Sequence, residues 1–201
     1  MSQRIVLASG NQGKLKEFSQ ILAPLDLEIV SQGELGGEDA EETGLSFVEN
    51  AIIKARNACA ATGLPSIADD SGLEVDALSE APGIYSARFA GPGASDQQNI
   101  EKLLHELGDL KAEQRRSARF RCVLVCMRHQ NDPTPLIAVG SWEGKILDAP
   151  EGENGFGYDP IFWSPEYDCA AAQLTPEQKK SVSHRGKAVA QLTEQLAAFL
   201  A

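Results

Sequence analysis

The chain lacks several features that would assign its class at a glance. It has no long hydrophobic run: the longest of its 201 residues' apolar stretches, around Cys122 to Met127, is far too short to span a membrane. The N-terminus passes straight into a strand-like run without the ordered basic, hydrophobic and cleavage regions of a leader, so neither membrane nor export is expected. Cysteine is scarce, and Cys59, Cys122, Cys126 and Cys169 form no C-x-x-C pair and no zinc spacing. Cys122 and Cys126 stand four apart in a strand-like run and are expected to share a face as small buried hydrophobes. A reduced, cytoplasmic setting is the matching expectation. Positive charge is also short: 18 Lys and Arg against 29 Asp and Glu give a net charge of −11. Non-specific nucleic-acid affinity comes from cations neutralising phosphates, so nucleic acid is not an expected partner. A small polyanion is still compatible with such a chain, provided a local basic cluster or a divalent metal meets it. No repeat, low-complexity segment or linker is visible. With 42% hydrophobic and 23% charged residues, the chain suits one large domain or two closely joined lobes.

What is present is punctuated clearly. Residues 4–8 and 27–31 read as strands. Between them "SGNQGK" (residues 9–14) leaves the first strand, and Leu15, Phe18, Ile21 and Leu22 repeat at helical spacing up to Pro24. Asn11 is a good N-cap, which sets free backbone N–H groups and Lys14 at a helix start, where anions are stabilised. The stretch is not a P-loop: Gly10 and Gly13 stand too close together, and Leu15 replaces the Ser or Thr that would follow Lys14. Taken alone it is a weak signal, because most strand–turn–helix junctions with Gly and Asn are plain turns.

After an acidic loop over residues 33–44, Ser46 with Glu49 makes a capping box, and Gly63 with Pro65 ends the helix that follows. Phe47, Val48, Ala51, Ile52, Ala55 and Cys59 form its expected buried stripe, while Asn50 and Lys54, four apart, share another face. A short strand over residues 66–68 is expected to run into a "DDSG" loop, with a further strand over 73–78. Ser95 caps a helix ending near Gly108, and residues 117–129 and 135–148 read as paired long strands. A glycine-rich loop, "EGENGFGYDP", enters a short strand over 161–163. The last helix starts near Ser183 and packs Val189, Leu192, Leu196, Phe199 and Leu200. Strands and helices mixed throughout give an α/β class.

Several elements carry candidate chemistry. Asp69 and Asp70 are hard oxygen donors of the kind that hold magnesium and activate water, or else an Asp that caps a turn. The acidic loop, with Glu38, Asp39, Glu41 and Glu42, offers a further metal ligand among mostly solvated charges. His184 and Arg185 fall in the first turn of a helix, where cations oppose the helix dipole, so an anionic or hydrogen-bonding partner or a solvated face would account for them. Phe156, flanked by glycines, offers a ring for stacking a base, or a purely structural loop. No role follows from the sequence for His105 or His129. Together the set suits a magnesium-dependent nucleotide hydrolase.

"SGNQGK", "EETG", "SFVENAIIKA", "ADDSGLEVDAL", "PGIYSARFAG", "GFGYDPIF" and "SHRGKA" occur in the order found in the inosine triphosphate pyrophosphatase family, which the chain resembles over nearly its whole length. The resemblance implies hydrolysis of dITP, ITP and XTP to the monophosphate and pyrophosphate with Mg²⁺. It also implies an elongated mixed β-sheet flanked by helices, a single domain over 1–201 of two lobes around a deep cleft, and a homodimer. By position, Ser9, Gly10, Asn11, Gln12, Gly13 and Lys14 fall on the family's triphosphate-contacting turn, and Lys54 on a phosphate-reaching lysine. Glu42 and Asp70 fall on metal ligands, Asp70 also on the water-activating base, and Ser71 on a substrate contact. Phe156, Gly157, Tyr158, Asp159, Lys179, His184 and Arg185 fall on nucleoside-binding positions. Arg88 lies in a family motif without an assignable role. The competing readings are a Maf-like pyrophosphatase of pyrimidine or modified nucleotides and a nucleotide-sensing module that does not hydrolyse. A haloacid-dehalogenase phosphatase is disfavoured because "ADDSG" lacks the Asp-x-Asp pattern.

Overall fold

The structure, a computed structural model, describes residues 3–9, 15, 18–19, 22–23, 27–108 and 116–201. Gly10, Asn11, Gln12, Gly13 and Lys14 lie outside the described residues. Of the first expected helix, Leu15, Phe18, Ser19 and Leu22 are helical, with Phe18 and Leu22 fully buried.

Seven strands form one mixed sheet: β1 (Gln3–Leu7), β2 (Leu27–Ser31), β3 (Ser66–Val75), β4 (Ser117–Met127), β5 (Leu136–Ile146), β6 (Phe162–Ser164) and β7 (Cys169–Ala170), in the order β2-β1-β3-β4-β5-β6-β7. β1 pairs in parallel with β2 (Ile5↔Ile29) and with β3 (Val6↔Ser66, Leu7↔Ile67), whereas β6 pairs antiparallel with β5 and β7. The helices are α1 (Phe47–Thr62), α2 (Asp96–Leu107), α3 (Pro176–Val182) and α4 (His184–Leu200). The mixed α/β architecture expected from the sequence is present.

The chain divides into two compact units. One holds the described residues up to Asp70 with Val123–Val139 and Ala188–Ala201, and the other Ser71–Cys122 with Gly140–Lys187. In the first, Val6, Val30, Ala68, Val123, Val125 and Met127 of the strands pack with Ala51, Ala55, Ala58 and Cys59 of α1. In the second, Leu73, Val75, Phe120, Trp142, Ile146 and Phe162 pack with Ile100, Leu103 and Leu107 of α2.

Local signals account for most element ends. Ser46 caps α1 by accepting from the Glu49 N–H, Glu49 Oε2 takes the Leu45 N–H at 2.9 Å, and Gly63 closes the helix in the left-handed conformation. A cap of this kind is worth about 1 kcal/mol. The Cys122 and Cys126 expectation holds, since both are fully buried on β4 and all four cysteines are free. Among the described residues no helix is long and apolar enough to cross a membrane.

One reading requires correction. "DDSG" is not a loop between two strands: β3 runs without a break from Ser66 to Val75. Asp, Ser and Gly have poor intrinsic strand preference, but a strand hydrogen-bonded in the sheet interior between β1 and β4 is decided by its neighbours. The last helix starts at His184, as expected, and a short helix not read from the sequence, α3, precedes it. Thr175 and Gln178 form a reciprocal capping box with Pro176 at the first helical position of α3, and Ser183 then separates it from α4.

The turn from β4 to β5 is held by one buried carboxylate. Asp132 accepts from Arg128 Nε (2.8 Å), Arg128 Nη2 (2.7 Å), the Arg128 N–H and the Thr134 N–H. The Arg128 guanidinium also lies 4.7 Å from the ring centre of Phe199 in α4. The Arg128 hydrogen bonds hold the Asp132 carboxyl well below its ordinary range against the opposing effect of burial. A depressed folded value contributes stability above the unfolded carboxylate's range and loses it as pH falls through the folded value. Asp132→Asn is therefore expected to cost about 2 kcal/mol at neutral pH, read by urea denaturation. The gap between variant and wild type should narrow as the unfolding series is taken into acid.

Candidate active site

The strand order places one end of the first unit where chemistry is expected. With β1 flanked by β2 on one side and β3 on the other, the chain leaves β1 at a topological switch point, and ligands of such sheets bind beyond the carboxyl ends of the strands. β1 ends at Leu7 opposite Ile67, whereas β3 continues, so Asp69 and Asp70 project past the end of β1. Ser9, half-buried, begins the segment that leaves β1 there.

Side chains alternate along a strand, so Ser66, Ala68 and Asp70 share one face of β3 and Asp69 belongs to the other. That first face is packed by α1. Ser66 Oγ donates to the Ala55 carbonyl at 2.8 Å, Ala68 shares a core with Ala51 and Ala55, and Asp70 meets Lys54. The helix thus runs against the strand, with its N-terminal half beside the Asp70 end.

Asn50, Lys54 and Asn57 recur at i, i+4 and i+7, and each holds the acidic loop. Asn57 Nδ2 donates to the Glu38 carbonyl at 2.7 Å, Lys54 Nζ to Glu42 Oε1 at 2.8 Å, and Asn50 Oδ1 accepts from the Gly44 N–H at 2.8 Å. Gly44 is required by this close approach, because a Cβ there would stand 2.6 Å from Glu49 Cβ and 2.7 Å from Asn50 Oδ1. The expectation that most of the loop's charges are solvated holds, since Glu38, Asp39 and Glu41 are exposed, while the loop is strapped to the helix with Glu42 half-buried.

Lys54 Nζ also donates to Asp70 Oδ1 at 3.1 Å, so one ammonium bridges the two carboxylates. Asp70 Oδ2 is buried and has no hydrogen-bond partner among the described residues. Burial raises the Asp70 pKa, Lys54 opposes that rise, and Glu42 adds to it; the net shift is upward. For Lys54 burial acts downward, but Asp70, Glu42 and Asp69 outweigh it and the amine is held more firmly protonated than usual.

This donor set fits a divalent metal. Mg²⁺ is usually held by one or two carboxylates together with substrate phosphates. Among the described residues two carboxylates share Lys54, one of them with a buried oxygen that has no hydrogen-bond partner, while no group of three or more His, Cys, Asp or Glu is gathered for a metal.

The second unit holds another group. The Phe156 ring is 63% exposed, at a loop whose backbone is fixed from below. Asp159, buried, accepts the Phe156 N–H at 2.9 Å and forms an ion pair with Lys179. Lys179 Nζ lies 4.9 Å from the Phe156 ring centre and the Arg185 guanidinium 5.9 Å from it. Gly157 N–H donates to Asp96 Oδ2 at 2.7 Å, and Tyr158 Oη, buried, donates to the Ser86 carbonyl at 2.9 Å. The side chains of Tyr158 and Asp159 are thus engaged within the protein. Ser183 Oγ accepts from the Gly186 N–H at 3.1 Å, and Gly186 packs against the Lys180 carbonyl more closely than any Cβ allows, which sets His184 and Arg185 in the first turn of α4. His184 stacks on Phe120 of β4 at 4.8 Å between ring centres and 16° between planes.

The Ham1 family profile matches residues 5–195. The chain belongs to the Ham1 family. It is 61% identical over 189 residues to a dITP/XTP pyrophosphatase of Photobacterium profundum, covering 94% of this chain and 95% of that protein. Its structure resembles that of a HAM1 protein from Coxiella burnetii, with a TM-score of 0.93 at 49% identity, over 98% of this chain and 99% of that one. A dITP/XTP pyrophosphatase from Mycobacterium abscessus superposes with a TM-score of 0.80 at 44% identity, over 94% and 98% of the two chains. The resemblance seen in the ordered motifs is borne out.

Within this Ham1 protein the structure brings Glu42, Lys54 and Asp70 together in one unit, and Phe156 to Asp159, Lys179, His184 and Arg185 in the other. Ser71 follows Asp70 directly on β3 and is half-buried. Sequence reasoning missed Phe120, whose stacking on His184 leaves no local signal. It noted that Asn50 shares a face with Lys54 without seeing that Asn50 is wholly buried. Arg88 stacks on Tyr85 at 5.2 Å.

In the metal-free protein, Lys54→Met removes the cation that holds Asp70 down, and should move the Asp70 titration further up. Glu42→Gln removes a like charge and should move it down. Carbon-detected NMR titration of the Asp carboxyls reads both shifts. Because the folded value exceeds the unfolded one, the Asp70 contribution to stability falls as pH rises through that window.

Proposed function

We propose that this protein is a metal-dependent pyrophosphohydrolase that cleaves dITP, ITP and XTP to the monophosphate and pyrophosphate, clearing non-standard purines from the nucleotide pool. The names of relatives such as those of Photobacterium profundum and Vibrio cholerae, the second 60% identical over 190 residues with 94% of each chain covered, support the reaction and its substrates. The observation that carries the chemistry is the Lys54 bridge between Glu42 and Asp70, beside a buried Asp70 oxygen with no hydrogen-bond partner among the described residues.

Glu42 and Asp70 would hold the metal, which we assign as Mg²⁺ from their hard oxygen donors; when bound, it neutralises phosphate oxygens and polarises the α-phosphorus. Asp70 accepts a proton from water as the water oxygen bonds to the α-phosphorus. The bond from the α-phosphorus to the bridging oxygen breaks, and pyrophosphate leaves. Lys54, with Lys14, offsets charge on the phosphates, and Ser9, Gly10, Asn11, Gln12, Gly13 and Ser71 serve as further contacts.

For the base, the exposed Phe156 ring offers a stacking face, and Lys179, His184 and Arg185 supply donors around it. A donor from His184 or Arg185 to the 6-oxygen accepts hypoxanthine and xanthine. Adenine's 6-amino group would leave that donor unpaired, and discrimination of this type reaches roughly 10⁴. Gly157, Tyr158 and Asp159 contribute through the backbone they shape, given that the Tyr158 hydroxyl and the Asp159 carboxylate are already engaged. We further assign a cytoplasmic homodimer with no nucleic-acid partner, in keeping with four free cysteines and a net charge of −11. A pyrimidine-directed Maf-like activity is disfavoured by relatives named for dITP and XTP. A non-hydrolysing sensor is disfavoured by the intact Glu42, Lys54 and Asp70 set.

Magnesium-dependent release of pyrophosphate is expected from dITP, ITP and XTP, with far slower turnover of ATP and GTP, in an assay resolving monophosphate and pyrophosphate. Equal rates on ATP and dITP would refute the substrate assignment, and orthophosphate from the γ position would refute the reaction type. Asp70→Asn should lower kcat by roughly 10²–10⁴-fold while the circular-dichroism spectrum is retained.

A further inference from the structure

Asn50 occupies an unusual position for an amide. It is fully buried near the N-terminal end of α1, one turn from Lys54, and the other buried positions of the helix, Ala51, Ala55, Ala58 and Cys59, are all apolar. A buried amide of this kind is costly unless both of its ends are used. One end is used, with Oδ1 taking the Gly44 N–H at 2.8 Å. Gly44 stands two residues after Glu42 and is pressed so closely on Glu49 and Asn50 that no side chain fits there. The Asn50 acceptor therefore helps to fix the segment that delivers Glu42 to Lys54.

At the other end, Asn50 Nδ2 is buried with no hydrogen-bond partner among the described residues, and Asp70 Oδ2 is in the same condition. The two side chains are neighbours, and the amide favours the ionised carboxylate. Among the described residues neither atom has a partner of good hydrogen-bond geometry, and both side chains lie at the Lys54 bridge.

We infer that Asn50 is a positioning residue for this site: its Oδ1 anchors the Glu42 loop through the Gly44 N–H, and its Nδ2 orients the Asp70 carboxylate. One amide would thus set the distance between the two proposed metal ligands, which come from segments far apart in sequence. This rests on the proposed roles of Glu42 and Asp70, and it assigns to Asn50 no contact with substrate. Residues that orient metal ligands change metal affinity or activity by roughly 10–100-fold when removed.

The two ends separate by substitution. Asn50→Asp keeps an oxygen for the Gly44 N–H but sets a second carboxyl against Asp70 in place of the amide donor, whereas Asn50→Ala loses both ends. Hydrogen exchange of the 38–50 segment in the intact protein should match wild type in Asn50→Asp and accelerate in Asn50→Ala. On dITP both variants should lose roughly 10–100-fold in kcat with KM within about threefold of wild type. Mn²⁺ titration followed by electron paramagnetic resonance, without nucleotide, should show roughly 10-fold or greater weakening in Asn50→Ala. A merely structural defect would lower the number of Mn²⁺ sites rather than their affinity. Wild-type turnover of dITP tests the activity reading, while exchange and Mn²⁺ affinity test Asn50 even if that reading fails. Wild-type kcat in Asn50→Asp, or wild-type exchange and Mn²⁺ affinity in Asn50→Ala, would overturn the inference.

Discussion

A single, largely enclosed ammonium constrains the first unit. Lys54 has only 16% of its side chain exposed, a situation in which an isolated ammonium would lose several kcal/mol of hydration. Each carboxylate at about 3 Å returns on the order of 5 kcal/mol at an effective dielectric near 20, so two partners suffice where one would be marginal. The upward shift of the Lys54 pKa agrees with that ordering. Because Glu42 arrives from a loop, Lys54 from a helix and Asp70 from a strand, satisfying one charge fixes three segments at once. The cluster still carries one net negative charge, and the carboxylate of Asp69 adds to the field around Lys54. A site of that composition attracts a divalent cation.

The sequence revealed the frame of this arrangement better than its centre. Ser46, Glu49, Gly63 and Pro65 announced α1 because caps act within a few residues. Ser95 and Gly108 did the same for α2. The Thr175-Pro176-Gln178 signal for α3 was equally local and could have been read. The path of β3 was not legible. Asp69, Asp70, Ser71 and Gly72 look like a turn in isolation, and only their neighbours in the sheet make them strand. The same limit applies to Asn50. Helical spacing put it on the face of Lys54, but its burial depends on Gly44, which folds back from outside the helix.

In the second unit the legible residues and the hidden ones divide along the same line. Phe156, His184 and Arg185 stood out by composition and by their place at a helix start. What holds them did not. Asp159 reads as a further ligand in a polar loop, yet its carboxylate is spent on the Phe156 N–H and on Lys179. Phe120 reads as one more apolar strand residue, yet it carries the imidazole of His184. Gly186 reads as a helix-weakening residue, yet α4 could not approach Lys180 with a side chain there. Each of these contacts joins segments distant in sequence, which periodicity and capping rules cannot see.

The charge balance explains why an acidic chain can be suited to a polyanionic substrate. A bare nucleoside triphosphate brought to Glu42 and Asp70 would meet two carboxylates and one ammonium among the described residues, and the net interaction would be repulsive. Paired with a divalent cation, the same phosphates present positive charge to those carboxylates and retain anionic oxygens for Lys54. On the proposed function, the charges of Glu42, Lys54 and Asp70 would favour the metal-bound nucleotide over the uncomplexed one. A more basic site would bind phosphates more freely and lose that discrimination. The excess of acidic residues, which at first argued only against nucleic acid, is therefore consistent with selective capture of the metal-bound substrate.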